Sequence, residues 1–461
     1  MIISKALAQT VLEAAMQSGG DFAEIFAEDT LFGSIRMLNN AIDTAINGKL
    51  YGAGIRIFKG LKSVYATTND LSEKGLLSCA KKASIAIGEL KADISITLSE
   101  SVIQNIHPIK IYPSDVSGKQ KVELVKLAYA ASRDYSKEIV QTTVSFGDKD
   151  QTVLIANSEG LYISDRRIYN RIAVGSVASD GIENQMGFEG PGNMKGFETF
   201  SEDIDAASLG LSSAKQAVTM LHAKDCPAGQ MTVAIENGFG GVVFHEACGH
   251  SLEATSVAKG SSEFTGRLGE VIANEKVTAI DDGTLLNKWG STNIDDEGYK
   301  TRKNVLIENG VLKGYLIDRM GGRRMNMSPT GSSRRESYQY APTSRMTNTY
   351  IANGTDNNED IIKSIENGLY AKKMGGGSVN PATGEFNFAV AEGYLVKNGE
   401  ICEAVRGASL IGKGSEILRD IDMVGQNLDM GTGICGSISG SVNTTVGQPL
   451  IRISKITVGG K

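Results

Sequence analysis

Histidine is scarce in this 461-residue chain, which has four, and so are proline with eight and tryptophan with one. The five cysteines (Cys79, Cys226, Cys248, Cys402, Cys435) lie far apart in sequence. That scatter excludes a disulfide framework and points to a reducing cytoplasm. No apolar run approaches the roughly 18–20 residues of a membrane span. The opening MIISKALAQTVLEAAM carries one lysine, and its apolar residues are spaced as on an amphipathic helix, so it reads as part of the fold and not as a signal peptide. Net charge is −6 and no dense Lys/Arg stripe occurs, which argues against a nucleic-acid binder. Glycine, by contrast, is abundant at 54. With so little proline, turns are made mostly by glycine, which suits many strands and hairpins.

Against this background the stretch His245-Glu246-Ala247-Cys248-Gly249-His250 stands out, because it holds two of the four histidines around a glutamate. Neutral imidazoles bind Zn²⁺, and a neighbouring carboxylate can take a proton from bound water. The spacing is unusual. Histidines four apart lie about 40° apart around a helix, whereas five apart would be roughly 140° apart on an ideal one. Two ligands of one ion require a π-bulge, a kink, or a helix end near Gly249. The competing reading is two ordinary histidines on a buried helix. A catalytic zinc needs a third protein ligand. Cys248 should leave the helix in another direction. Cys435, in GTGICGSISG, is the better candidate, since its glycines let backbone approach a buried site closely. On the residues alone, a cysteine among glycines is more often a small buried side chain than a ligand.

A chain this long exceeds one compact core. The expected fold class is α+β, in three parts. Residues 1–92 read as a small antiparallel sheet with two helices. The first helix is capped by Ser4 and stopped by Gly19-Gly20, and the second is capped by Asp70 and runs to about Glu89. Between them DFAEIFAED, GSIRMLNNAIDTAI, YGAGIRIFK and KSVYATT read as four strands. Residues 93–224 are a middle α/β segment with helices over 117–138 and 203–224. Residues 225–461 are β-rich, with curled antiparallel sheets around the metal-binding helix. Asn309-Gly310 and Asn398-Gly399 are its strongest hairpin turns.

Other stretches are weaker candidates. Residues 407–413, GASLIGK, imitate a phosphate-binding loop, but Gly414 stands where Ser or Thr is needed. Asp295-Asp296-Glu297 lacks the alternating spacing of a calcium loop and reads as a solvated or internally paired turn. Arg323-Arg324 and Arg334-Arg335 could hold a peptide carboxylate, although a surface loop is the simpler expectation. His107 reads as a loop residue, and His222 as a solvated residue near a helix end.

HEACGHSLEA, GSTNIDDEG, VLIENGVLKGYLIDR, PTGSSRRESY, APTSRMTNTY, MGGGSVNPATGEF, GASLIGKG, and GICG followed by VGQPLIRISKITVGG together resemble the TldD/PmbA family of metalloproteases, on its TldD-like, catalytic side. The resemblance implies a zinc peptidase in which His245, His250 and Cys435 are the metal ligands and Glu246 is the catalytic base. It also implies peptides or unfolded polypeptides as substrate, and a dimer, either of two copies or with a PmbA/TldE-like partner. The Ser/Thr-rich GSISGSVNTTVGQP after Cys435 departs locally from the family. The rival expectation is a binding or modulator protein that uses zinc only structurally.

Overall fold

The structure, a computed structural model, describes residues 2–88, 94–380 and 383–460. The expected helix end at Glu89, the boundary near residue 92, and Pro381-Ala382 of the MGGGSVNPATGEF block lie outside the described residues. The first helix, Lys5–Met16, is capped by Ser4 as expected, with the Leu7 N–H donating to Ser4 Oγ at 3.3 Å. The second, Glu73–Ile87, is capped by Ser72 and not by Asp70. Ser72 Oγ accepts the Gly75 N–H at 3.2 Å, while Asp70 turns the chain by accepting the Ser72 N–H at 3.0 Å.

The strands between these helices are fewer and longer than expected. Asn39 and Asn40 both take positive φ, 44° and 69°. That is the left-handed pair a tight hairpin turn needs, and Asn tolerates it. GSIRMLNNAIDTAI is therefore the bend of a hairpin and not one strand. Its halves extend the neighbouring runs into Phe22–Leu38 and Ala41–Lys59. Phe22–Leu38 then pairs antiparallel with Ile139–Asn157, from Glu24↔Asn157 to Leu38↔Thr143. One eight-stranded sheet thus continues across the boundary near residue 92. Its order is 62–68, 41–59, 22–38, 139–157, 161–179, 99–101, with 184–189 and 192–193 also on 161–179.

Side chains alternate between the two faces of this sheet. Ile25, Ile55 and Leu154 pack under the first two helices with Leu12, Leu76 and Ala80. Ile35, Met37 and Phe146 pack under the helix Gly118–Arg133. The other face meets the C-terminal half through Phe26, Val153, Ile155, Ile294 and Tyr338. It also carries a buried ionic network. Arg56 joins Glu24, at 2.8 Å, to Glu297. Arg335 reaches Glu24 at 2.9 Å, and Arg167 reaches Asp296 at 2.7 Å. Asp295-Asp296-Glu297 is therefore paired internally and not solvated. Arg334-Arg335 is buried and not a surface loop. A charge left unpaired at such depth is costly, so each of these groups has partners from distant segments. Arg323 stays at the surface, where it pairs with Asp21.

The C-terminal half holds a ring of strands that closes on itself: 229–235, 451–459, 409–413, 385–397 and 367–379, which returns to 229–235. A six-stranded sheet lies beside it and ends in the hairpin Asp429–Ser437 and Gly440–Gln448. Three pairings are parallel, 224–225 with 405–406, 232–235 with 368–371 and 348–350 with 445–447, where only antiparallel ones were expected. Residues 409–413 are a strand of the ring, so GASLIGK forms no phosphate loop. No helix among the described residues is long and apolar enough to cross a membrane.

Candidate metal centre

The strand Gly229–Ile235 leads through a 3-10 turn at Gly238–Gly241 into the segment with the two histidines. One turn of α-helix, Val242–Phe244, passes into a π-helical stretch over His245–Gly249 and a 3-10 turn at His250–Leu252. The His250 N–H bonds to the carbonyl of His245, five residues back. That bond brings onto one side two rings that an ideal α-helix would separate. Their centroids are 5.0 Å apart with planes at 82°. Close packing fixes the stretch. A Cβ on Gly249 would fall 2.2 Å from Met346 Sδ, and one on Gly414 would fall 2.2 Å from the Ala247 carbonyl.

Cys435 arrives from the hairpin, paired with Val442. Its Sγ lies 3.4 Å from His245 Nε2 and 3.3 Å from His250 Nε2. One donor atom from each of the three residues lies within 4.8 Å of the others. Tetrahedral zinc, with bonds of about 2.0–2.1 Å to nitrogen and 2.3 Å to sulfur, would set N···S near 3.5 Å. The donor set fits such an ion. His245 is buried, and its Nε2, like that of His250, is the ring nitrogen turned to Cys435 Sγ, so two imidazole nitrogens and one sulfur face each other.

The electrostatics differ across the site. Burial, with His250 and Arg345 adding to it, holds His245 well below the usual histidine range and therefore neutral. Burial opposes charge on His250 too, but Glu253 and Cys435 outweigh it and hold that ring well above the usual range. Burial raises the Glu246 carboxyl; His250 and Arg345 act against this, while Glu253 adds to it. Glu246 Oε2 is 3.7 Å from His250 Nε2, and its side chain keeps 26% of its surface exposed. It thus borders the site and also reaches solvent.

The remaining sequence candidates lie elsewhere. Cys248 faces away from the cluster, with Sγ 3.7 Å from the Gly414 carbonyl. His222 ends the helix Ala206–Leu221 at the surface, 2.8 Å from Glu138. His107 is buried in a loop, where its Nδ1 accepts the Asn287 N–H at 3.1 Å. Two residues of the site were missed in the sequence. Glu253 contacts His250 Nδ1 at 3.2 Å, and Arg345, fully buried, donates to the Cys435 carbonyl at 2.5 Å. The only trace of Glu253 was its position three residues after His250. Arg345 had none beyond its place in APTSRMTNTY.

Residues 228–460 match the PmbA/TldA metallopeptidase C-terminal domain, 111–221 its central domain and 23–87 its domain 1. The chain belongs to the TldD/PmbA family. It is 37% identical over 420 residues to a metalloprotease TldD homolog of Haemophilus influenzae, covering 89% of this chain and 86% of that one. A zinc metalloprotease TldD homolog of Saccharolobus solfataricus is 29% identical over 365 residues, 78% of this chain and 74% of its own. In fold the chain resembles TldE from Thermococcus kodakarensis, with TM-score 0.77, 19% identity and 99% of each chain covered. It also resembles a Thermotoga maritima protein described as a candidate modulator of a DNA gyrase, with TM-score 0.80, 22% identity, and 99% of this chain and 100% of that one covered.

Proposed function

We propose that this TldD-family chain is a zinc-dependent metallopeptidase that hydrolyses peptides or unfolded polypeptide segments. The observation that carries the reading is the convergence of His245, His250 and Cys435 beside a half-buried Glu246. The two histidines and the thiolate would hold the ion. When bound, such an ion polarises a peptide carbonyl and activates water. The chain supplies the proton handling. Glu246, its carboxyl raised by burial, takes a proton at Oε2 or Oε1 and returns it to the leaving amine. His245, held neutral by burial, is ready as a donor without first losing a proton. Zinc is supported by the thiolate in the donor set and by the name of the Saccharolobus relative. A dimer, of two copies or with a PmbA/TldE-like chain, is supported by the likeness in fold to TldE.

Metal content of the purified protein, wild type beside Cys435→Ser and Glu246→Ala, tests the reading. The wild type should carry about one zinc per chain. Cys435→Ser should lose it, and Glu246→Ala should keep it while losing hydrolysis of unfolded substrates. A wild type that binds no divalent metal, or a fully active Glu246→Ala, overturns the reading.

A further inference from the structure

The strand Ala41–Lys59 is covered unevenly. Its second half is buried and flanked by strands on both sides, since Lys62–Thr68 pairs with it from Ala53 to Lys59. Over residues 41–52 its outer edge pairs with no strand among the described residues. From Ala41 to Tyr51 no residue is buried, on either face. Ile42, Ile46 (51% exposed) and Tyr51 are open to solvent there, and so are Leu31 and Phe32 on the adjoining strand. A long open edge with apolar side chains is a template for another strand, and monomeric proteins usually shorten or cover such edges.

We propose that this edge pairs antiparallel with the same edge of a second copy, about a two-fold axis at Ile46. The charges select the register. The segment carries two charged side chains, Asp43 and Lys49, three residues on either side of Ile46. With Ile46 facing Ile46, Asp43 of each copy faces Lys49 of the other, and Ile42 faces Leu50. Moving the axis to Ala45 sets Lys49 opposite Ala41, and moving it to Asn47 sets Asp43 opposite Tyr51, so both attractions are lost. A two-fold interface must be self-complementary, and this segment is so in one register. Within a single chain Asp43 meets Arg36 and Lys49 meets Asp29, each at 3.0 Å, with all four side chains at least one-third exposed. Each can therefore take a second partner. The pairing would join the two eight-stranded sheets into one and protect both open edges. It rests on the dimeric part of the reading above and is independent of the metal centre.

The test is light scattering and cross-linking on the full chain, with Cys402→Ser as background to remove the one partly exposed thiol. The wild type should be a dimer. Ile46→Cys should be joined to its equivalent by a short bismaleimide. Ile42→Cys should not, because its equivalents would be about 27 Å apart, eight residues at 3.4 Å each. Asp43→Lys should weaken the dimer roughly tenfold, as two like-charged cross-strand pairs replace two attractive ones. Asp43→Lys with Lys49→Asp should restore it. A dimer that lacks the Ile46→Cys cross-link and ignores Asp43→Lys overturns this pairing alone. A monomer overturns it together with the dimeric reading.

Discussion

Glu253 stands behind His250: its Oε2 is 3.2 Å from His250 Nδ1, while Nε2 of the same ring faces Cys435. The carboxylate therefore fixes the ring's orientation and keeps Nε2 as the atom turned toward the cluster. Such outer carboxylates typically change metal affinity about 10–100-fold when removed. Glu253→Ala should weaken zinc binding by that factor in chelator competition. Glu253→Gln should weaken it less, because its amide oxygen can still accept from the ring. Equal affinity in all three proteins would remove Glu253 from the site.

Arg345 has the matching role for Cys435. Its guanidinium, fully buried, donates to the Cys435 carbonyl at 2.5 Å, to Gly440 O at 2.9 Å and to Ser439 Oγ at 3.0 Å. It thereby spans the hairpin tip just beyond Cys435. Arg345→Met strands these acceptors in the interior, at a cost of roughly 3–5 kcal/mol. Urea unfolding of the metal-free protein should register the loss, and zinc content should fall with it. Arg345→Lys, which keeps the charge but not the fork, should be intermediate. A metal-free Arg345→Met protein as stable as the wild type would contradict the clamp.

The centre was legible where the chemistry is local, because two histidines around a glutamate in a chain with four histidines leave few readings. The five-residue spacing called for a π-bulge, a kink or a helix end, and a π-helical turn is present. Cys435 was only a candidate on the residues alone, since a cysteine 185 positions from His250 has no period to link it. Turn chemistry misled at two points. Asn39-Asn40 passed as strand because its neighbours alternate, although the left-handed φ of both residues makes the hairpin. Asp70 passed as a cap that belongs to Ser72. Arg334-Arg335 was read as surface, and Asp295–Glu297 was left between solvated and internally paired, because their partners, Glu24, Arg56 and Arg167, lie more than a hundred residues away. Only the tertiary fold brings them together.

Asp281 carries a pH dependence that can be isolated. It is fully buried, and burial raises its carboxyl from 3.8 to about 6, against hydrogen bonds donated by Thr347 and Thr349. Between those values the folded chain binds this proton and the unfolded chain does not. Its contribution is therefore present below about pH 4 and is lost as pH rises through about 6. Relative to Asp281→Asn, the wild type should lose on the order of 3 kcal/mol of unfolding free energy over that window. Denaturant titrations of both proteins at several pH values check the slope. A difference that stays flat or rises with pH would contradict it.

The ionic network between the first sheet and the C-terminal half makes a sharper demand. Arg56 lies between Glu24 and Glu297 with almost no exposed surface, and Arg335 shares Glu24 with it. Such a cluster need not be more stable than well-packed apolar residues, but removing Arg56 leaves the buried Glu297 carboxylate without its cation, while Glu24 keeps Arg335. Arg56→Met should therefore cost about 3–5 kcal/mol. Adding Glu297→Gln should recover part of that cost by removing the excess negative charge, so the two effects should not add. Glu297 also accepts the Arg319 N–H at 2.8 Å, a bond that the amide oxygen of Glu297→Gln can keep. The metal donors come from other segments, so zinc content should survive in the folded fraction of both variants. Additive losses would mean that the two groups act independently, and a loss of zinc in folded protein would tie the network to the metal centre.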